Sequence, residues 1–182
     1  MKKSKPKHAS AKPARKRAYK FVAIFAMGVV LVYAFLATPW AGSVFNPWQF
    51  AWSAQAAGGL LQILGKSVVT NGSNISSPEY SIAVRNGCDA AEPIGLFLSA
   101  VVAFPVAFRK RLMGAVAGIV LLLALNTARI ASLYWVGAEI PGSFDFFHGT
   151  LWPICILLLA GGAWLFWAQW ALKRKAIQPT KA

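Results

Sequence analysis

Four apolar runs, Phe21–Ala37, Ile94–Phe108, Leu112–Val136 and Leu151–Leu172, restrict this chain to folds that live in a bilayer. A helical span needs roughly 20 apolar residues, with about 17 as a lower limit. The third and fourth runs meet this alone. The first reaches it with Thr38–Trp40, and the second with Ala90–Pro93. Charged residues are 13% of the chain, against about 25% in a soluble domain. The expected fold class is an all-α integral membrane protein, a four-helix bundle with spans near 21–40, 90–108, 112–136 and 149–172. A fifth stretch, Trp48–Leu64, carries Gln49, Ser53, Gln55 and Gln62 and a Gly58-Gly59 pair. It reads as an interfacial or periplasmic helix lying against the bilayer, with a full crossing as the alternative.

Charge orients the runs. The net charge is +14, and nine Lys or Arg fall within residues 1–20. Three more, Arg109, Lys110 and Arg111, separate the second and third runs. Lys173, Arg174, Lys175 and Lys181 follow the fourth. A four-span topology puts all these on one side and all five acids (Glu79, Asp89, Glu92, Glu139, Asp145) on the other. The positive-inside rule then makes both termini cytoplasmic and residues 38–89 and 137–147 periplasmic, in a bacterial inner membrane. Residues 1–20 and 173–182 read as basic cytoplasmic tails around a membrane domain at 21–172, the first of them disordered. Their lysines, spaced by Pro, Ala and Ser beside a span, suit anionic lipid headgroups and not nucleic acid. The first apolar run exceeds the 7–15 residues of a cleaved signal core and reads as a retained anchor.

In the long outer segment, Asn71-Gly72-Ser73-Asn74 is a turn cluster. Tyr80, Ile82 and Val84 alternate with Ser81 and Ala83, a short strand pattern. With Lys66–Thr70 this predicts a small outer hairpin packed on the helix ends.

The chemistry concentrates at three residues. Cys88 lies in Asn86-Gly87-Cys88-Asp89-Ala90-Ala91-Glu92-Pro93. Asn-Gly is a tight-turn signal, Asp89 and Glu92 resemble a capping box, and Pro93 suits a first helical turn. Amides at a helix start favour a thiolate, whereas the two acids oppose it. Arg129 sits about 8 residues, or roughly 12 Å, below the outer end of its run. A charge at such depth costs at least ~2.5 kcal/mol and needs a polar cavity or a partner. Asn126 shares its helix face one turn earlier. His148 leads directly into the fourth span, with Asp145 at i−3 able to hold the imidazole on a helical turn. Taken singly, each has a bland reading: an inert packed thiol, a snorkelling arginine, an interfacial histidine. Three groups at one membrane level make a constellation suited to acyl transfer. Cys88 would be the nucleophile, His148 the general base and then acid, and Arg129 the oxyanion partner. Asn126 and Asp145 would support them. Cys155 lies deeper in the fourth run, too far for a bridge to Cys88, and reads as a small hydrophobe. No metal-ligand spacing or phosphate loop occurs, and no cofactor or metal is expected.

At these residues the chain resembles the exosortase/archaeosortase family of membrane transpeptidase-like enzymes. The matching elements are Asn86-Gly87-Cys88-Asp89-Ala90 before a span, Asn126-Thr127-Ala128-Arg129-Ile130 within the next, and Phe144-Asp145-Phe146-Phe147-His148 at the start of the last. Their order follows the family's Cys, Arg, His triad over about residues 66–170. The small size resembles a short-form member of the exosortase H type, with fewer spans than larger members. The resemblance implies a cysteine protease or transpeptidase acting on exported proteins. Such substrates carry a C-terminal motif, a transmembrane helix and a basic cluster. Two other functions compete: a small channel or transporter subunit using Arg129, Asn126 and His148 as pore groups, and a non-catalytic assembly or scaffold protein.

Overall fold

A computed structural model describes residues 12–173. Three segments are long and apolar enough to cross a membrane: Arg15–Leu36, Phe108–Glu139 and Pro141–Leu172. The first belongs to α1 (Lys12–Leu36), the second to α4 (Phe108–Glu139). The third comprises a 3₁₀ turn at Pro141–Ser143, one turn of α5 (Phe144–Phe146), a π-type turn at Phe147–Leu151 and α6 (Trp152–Leu172). The second expected run yields α3 (Ala91–Ala103), which is apolar but only 13 residues long. At 1.5 Å per residue that is about 20 Å, against a hydrocarbon layer of about 30 Å. Phe104 ends it in an extended conformation, as a residue before proline prefers.

Residues 12–20, expected to belong to a disordered tail, are helical and continuous with the first span. Ala, Lys and Arg are strong helix formers, and Pro13 stands in the first turn, where no N–H is required. Residues 1–11 and 174–182 lie outside the described residues. Likewise Arg109–Arg111, expected between the second and third spans, lie in the first turn of α4.

The helices meet where side chains are small. A Cβ on Gly28 would lie 2.7 Å from Ser99 Oγ, so α1 and α3 touch nearly backbone to backbone. In lipid, such dispersion contacts replace the hydrophobic drive that water supplies. α3, α4 and α6 share a core of Phe97, Val101, Leu122, Trp167, Ala168 and Ala171. The indole of Trp167 donates to Lys110 O at 3.1 Å, tying α6 to the start of α4.

A second core sits at the opposite end, under a small sheet. β1 (Val69–Asn71), β2 (Asn74–Ser76) and β3 (Ser81–Ala83) form an antiparallel meander in the order β1-β2-β3. The expected hairpin thus has a third, middle strand, of which only Asn74 belongs to the turn cluster. Thr70 pairs with Ile75 and Ile75 with Ile82. Ile75 and Ile82 are buried against Ala57 and Leu61 of α2 (Asn46–Ile63) and Leu133 and Tyr134 of α4. The Tyr134 hydroxyl donates to Ser77 Oγ at 2.7 Å, and Lys66 pairs with Glu139 at 3.4 Å. The sheet is thereby clamped to the end of α4.

The Trp48–Leu64 stretch forms α2, but with inverted amphipathicity. Gln49 and Ser53 are buried, whereas Trp48 and Trp52 are exposed. A π-type turn at Ala41–Phe45 precedes α2, with Asn46 N–H bonding Ala41 O. Both π-type turns close two residues before a proline, Pro47 and Pro153. A proline ring clashes with the carbonyl four residues back, and widening the turn relieves that clash.

Gly118 of α4 faces the Phe97 ring so closely that a Cβ would overlap it. Gly118→Val is expected to cost ~1–3 kcal/mol, the usual range for overpacking a core. Thermal unfolding in detergent, compared with wild type, measures this.

Candidate active site

The segment between β3 and α3 is a tight turn, and its glycine is required. Gly87 has φ +85°, a left-handed conformation that other residues adopt only under strain. The turn closes through the Cys88 N–H, which donates to Arg85 O at 2.9 Å. Asp89 then accepts the Ala91 N–H at 3.1 Å through Oδ1. This is looser than the expected capping box. The cap position is Ala90, Asp89 precedes it, and Glu92 makes no return bond among the described residues. The Cys88 amide, already bonded to Arg85, is not free to bind an oxyanion.

The three expected residues do meet. Cys88 is 7% exposed, and its Sγ lies 3.3 Å from His148 Nδ1. Arg129 is 4% exposed and extends Nη2 to 3.5 Å from the backbone oxygen of His148. Its Nε is buried with no hydrogen-bond partner among the described residues. One thiol, one imidazole and one guanidinium from the β3–α3 turn, the π-type turn and α4 thus occupy a single locus.

The two supporting residues behave differently from expectation. Asp145 is exposed and makes no hydrogen bond to His148 among the described residues. The imidazole is instead stacked on Phe144, centroids 5.6 Å apart and planes at 12°. With Nδ1 turned to sulfur, the ring nitrogen that a carboxylate normally orients is already in use. Asn126 is buried, as its shared face with Arg129 implies, but its Oδ1 has no partner among the described residues.

Asp89, read as a cap, is also a member of the site. It is 8% exposed and lines the same cavity as Arg129. Burial pushes its carboxyl above the usual carboxylate range, which the Ala91 N–H and Arg129 only partly offset. Burial likewise pushes the Cys88 thiol up. Arg129 opposes this, Asp89 reinforces it, and the Arg85 backbone contact opposes it. The resting sulfur is therefore a neutral thiol whose proton must leave before it can attack. The adjacent imidazole nitrogen is placed to receive it.

A cavity of about 630 Å³ opens from this locus. Gly87, Asp89, Glu92 and Arg129 line its head, and Leu96, Ala100, Ile156, Leu157, Ala160, Trp164 and Phe25 continue it between α1, α3 and α6. From Pro153 to Trp164 the lining follows α6 for roughly 16 Å. Its walls are almost wholly apolar below the head, as befits a surface facing lipid or a membrane-embedded ligand. Cys155 is a free thiol on α6 outside this lining. Among the described residues no group of three His, Cys, Asp or Glu could hold a metal ion.

The sequence profile of the family described as Transmembrane exosortase matches residues 17–158. That range spans most of the chain and contains Cys88, Arg129 and His148. No curated protein and no solved structure matches the chain. With a match of this extent and a thiol, guanidinium and imidazole brought together inside it, the chain belongs to the transmembrane exosortase family.

Proposed function

We propose that this protein is a membrane-embedded cysteine protease or transpeptidase that cleaves C-terminal sorting tails of exported proteins. One observation carries the reading: Cys88 Sγ lies 3.3 Å from His148 Nδ1, beside an apolar groove whose head is lined by the neighbouring Gly87, Asp89 and Arg129. His148 Nδ1 takes the thiol proton as sulfur attacks the scissile carbonyl. Arg129 stabilises the developing oxyanion through its guanidinium, whose Nε has no hydrogen-bond partner among the described residues. The imidazolium then protonates the leaving amine, and the C–N bond breaks to leave a Cys88 thioester and a free tail. Water or an acceptor amine attacks the thioester and regenerates the thiol.

The substrate helix would run beside α3 and α6, presenting its motif to Cys88. The basic segments support four crossings with both termini cytoplasmic and the site at the periplasmic face of a bacterial inner membrane. In that topology α3 and the connecting residues 104–107 together make the short second crossing.

Co-expression with a tail-bearing substrate tests the reading. Cys88→Ala is expected to abolish cleavage while the protein still inserts, and His148→Ala to reduce it by about 10²–10⁴-fold. Unchanged processing in Cys88→Ser would remove the nucleophile assignment and favour an assembly role.

The thiol has a pH signature of its own. Its raised pKa means that alkylation of Cys88 accelerates through a higher pH range than for an ordinary cysteine. Arg129→Gln removes the positive charge that favours the thiolate, so the alkylation midpoint is expected to move further up. A fixed or lowered midpoint, measured by mass spectrometry of alkylated protein, would contradict the electrostatic role of Arg129.

A further inference from the structure

If Cys88 and His148 form the reactive pair proposed above, something must hold the imidazole in rotation, since Asp145 does not. The chain is helical from Phe144 to Leu172, but Phe147–Leu151 is a π-type turn in which Trp152 N–H donates to Phe147 O. An α-helix would give that N–H to His148 O instead. In a continued π ladder, the donor to His148 O would be the N–H of residue 153, which is proline and has none. Two separate features thus strip the His148 carbonyl of a helical partner. Arg129 Nη2 approaches this oxygen.

The other end of the turn is also held. Trp152 Nε1 donates to Ser132 Oγ at 2.9 Å, and the Ser132 hydroxyl donates to Arg129 O at 2.8 Å. Residues 129 and 132 of α4 therefore grip residues 148 and 152, one at each end of the wide turn. Rotation matters here because each residue of an α-helix advances by about 100°. Collapse of the wide turn to α geometry would swing His148 by about that angle and carry Nδ1 away from sulfur.

We propose that Ser132 and Trp152 are positioning residues, whose hydrogen bond locks the wide turn against α4 and so aims His148 Nδ1 at Cys88 Sγ. Trp152 acts through its indole N–H and not only through its bulk. Pro153 keeps the turn from closing because in α geometry its ring would clash with the Gly149 carbonyl.

The test uses full-length protein in nanodiscs carrying Cys155→Ala, so that Cys88 is the one thiol. Its alkylation rate by a small haloacetamide is followed against pH. His148→Ala defines the profile of a thiol without its base. Ser132→Ala and Trp152→Phe, which break one bond from opposite sides, are each expected to move the profile about one pH unit toward it, a tenfold change in rate at fixed pH. Ser132→Thr, which keeps the hydroxyl, is expected to restore the parent profile. If Ser132→Ala and Trp152→Phe follow the parent while His148→Ala departs from it, the positioning role is overturned and the reactive pair stands. If His148→Ala itself follows the parent, the pair fails. If neither bond-breaking variant folds, the bond is a determinant of the fold and the positioning role is equally overturned.

Discussion

The buried guanidinium of Arg129 is the constraint to which the rest of the site answers. A charge deep in an apolar helix is expensive unless its surroundings are polar, and this one is 4% exposed. The fold meets it with a backbone oxygen from the π-type turn and with an aspartate, Asp89, on the same cavity wall. It leaves Nε without a hydrogen-bond partner among the described residues. That is a costly arrangement for stability alone, since an apolar residue would avoid the desolvation entirely. Retaining a half-satisfied cation makes physical sense where negative charge develops during a reaction.

The two cores divide the labour. The far core, around Phe97, Leu122 and Trp167, is aromatic and close-packed, and it fixes how α3, α4 and α6 splay. The near core joins the sheet, α2 and the last turns of α4, and it includes Cys88 itself. Cys88 is thus anchored by soluble-style packing of Ile75, Ile82 and Val84, while His148 stands at the head of a membrane helix. The groove runs between α1, α3 and α6 and borders the far core through Phe97, Ala160 and Trp164.

Much of this was legible in the chain. Apolar runs and basic clusters located the long helices, and the Cys88, Arg129 and His148 motifs located the chemistry. What escaped was set by tertiary contacts. Helix propensity carried α1 through the basic residues 12–20, because solvated lysines and arginines do not oppose a helix. Asn74–Ser76 became a strand because pairing on both sides overrides the turn signal that ran up to Asn74. Asp145 promised a partner for His148 from i−3 spacing, which assumes α geometry that the wide turn does not keep. Residues 147–153 did hold a usable signal, a proline following an aromatic run, but its effect on the register of His148 depends on the neighbouring α4. Gln49 and Ser53 marked α2 as weakly apolar, yet gave no hint that their side is the buried one.

A π-type turn is an α-helix with one residue inserted. Such an insertion alters direction upstream of itself and leaves the downstream rod in its old groove. The contacts of α6 with Gly114 and Phe104 through Trp167 therefore need not change when the segment carrying His148 is re-aimed. In a lineage of such proteins, gaining or losing a single codon here would retune the distance between imidazole and sulfur without disturbing the scaffold that spans the lipid.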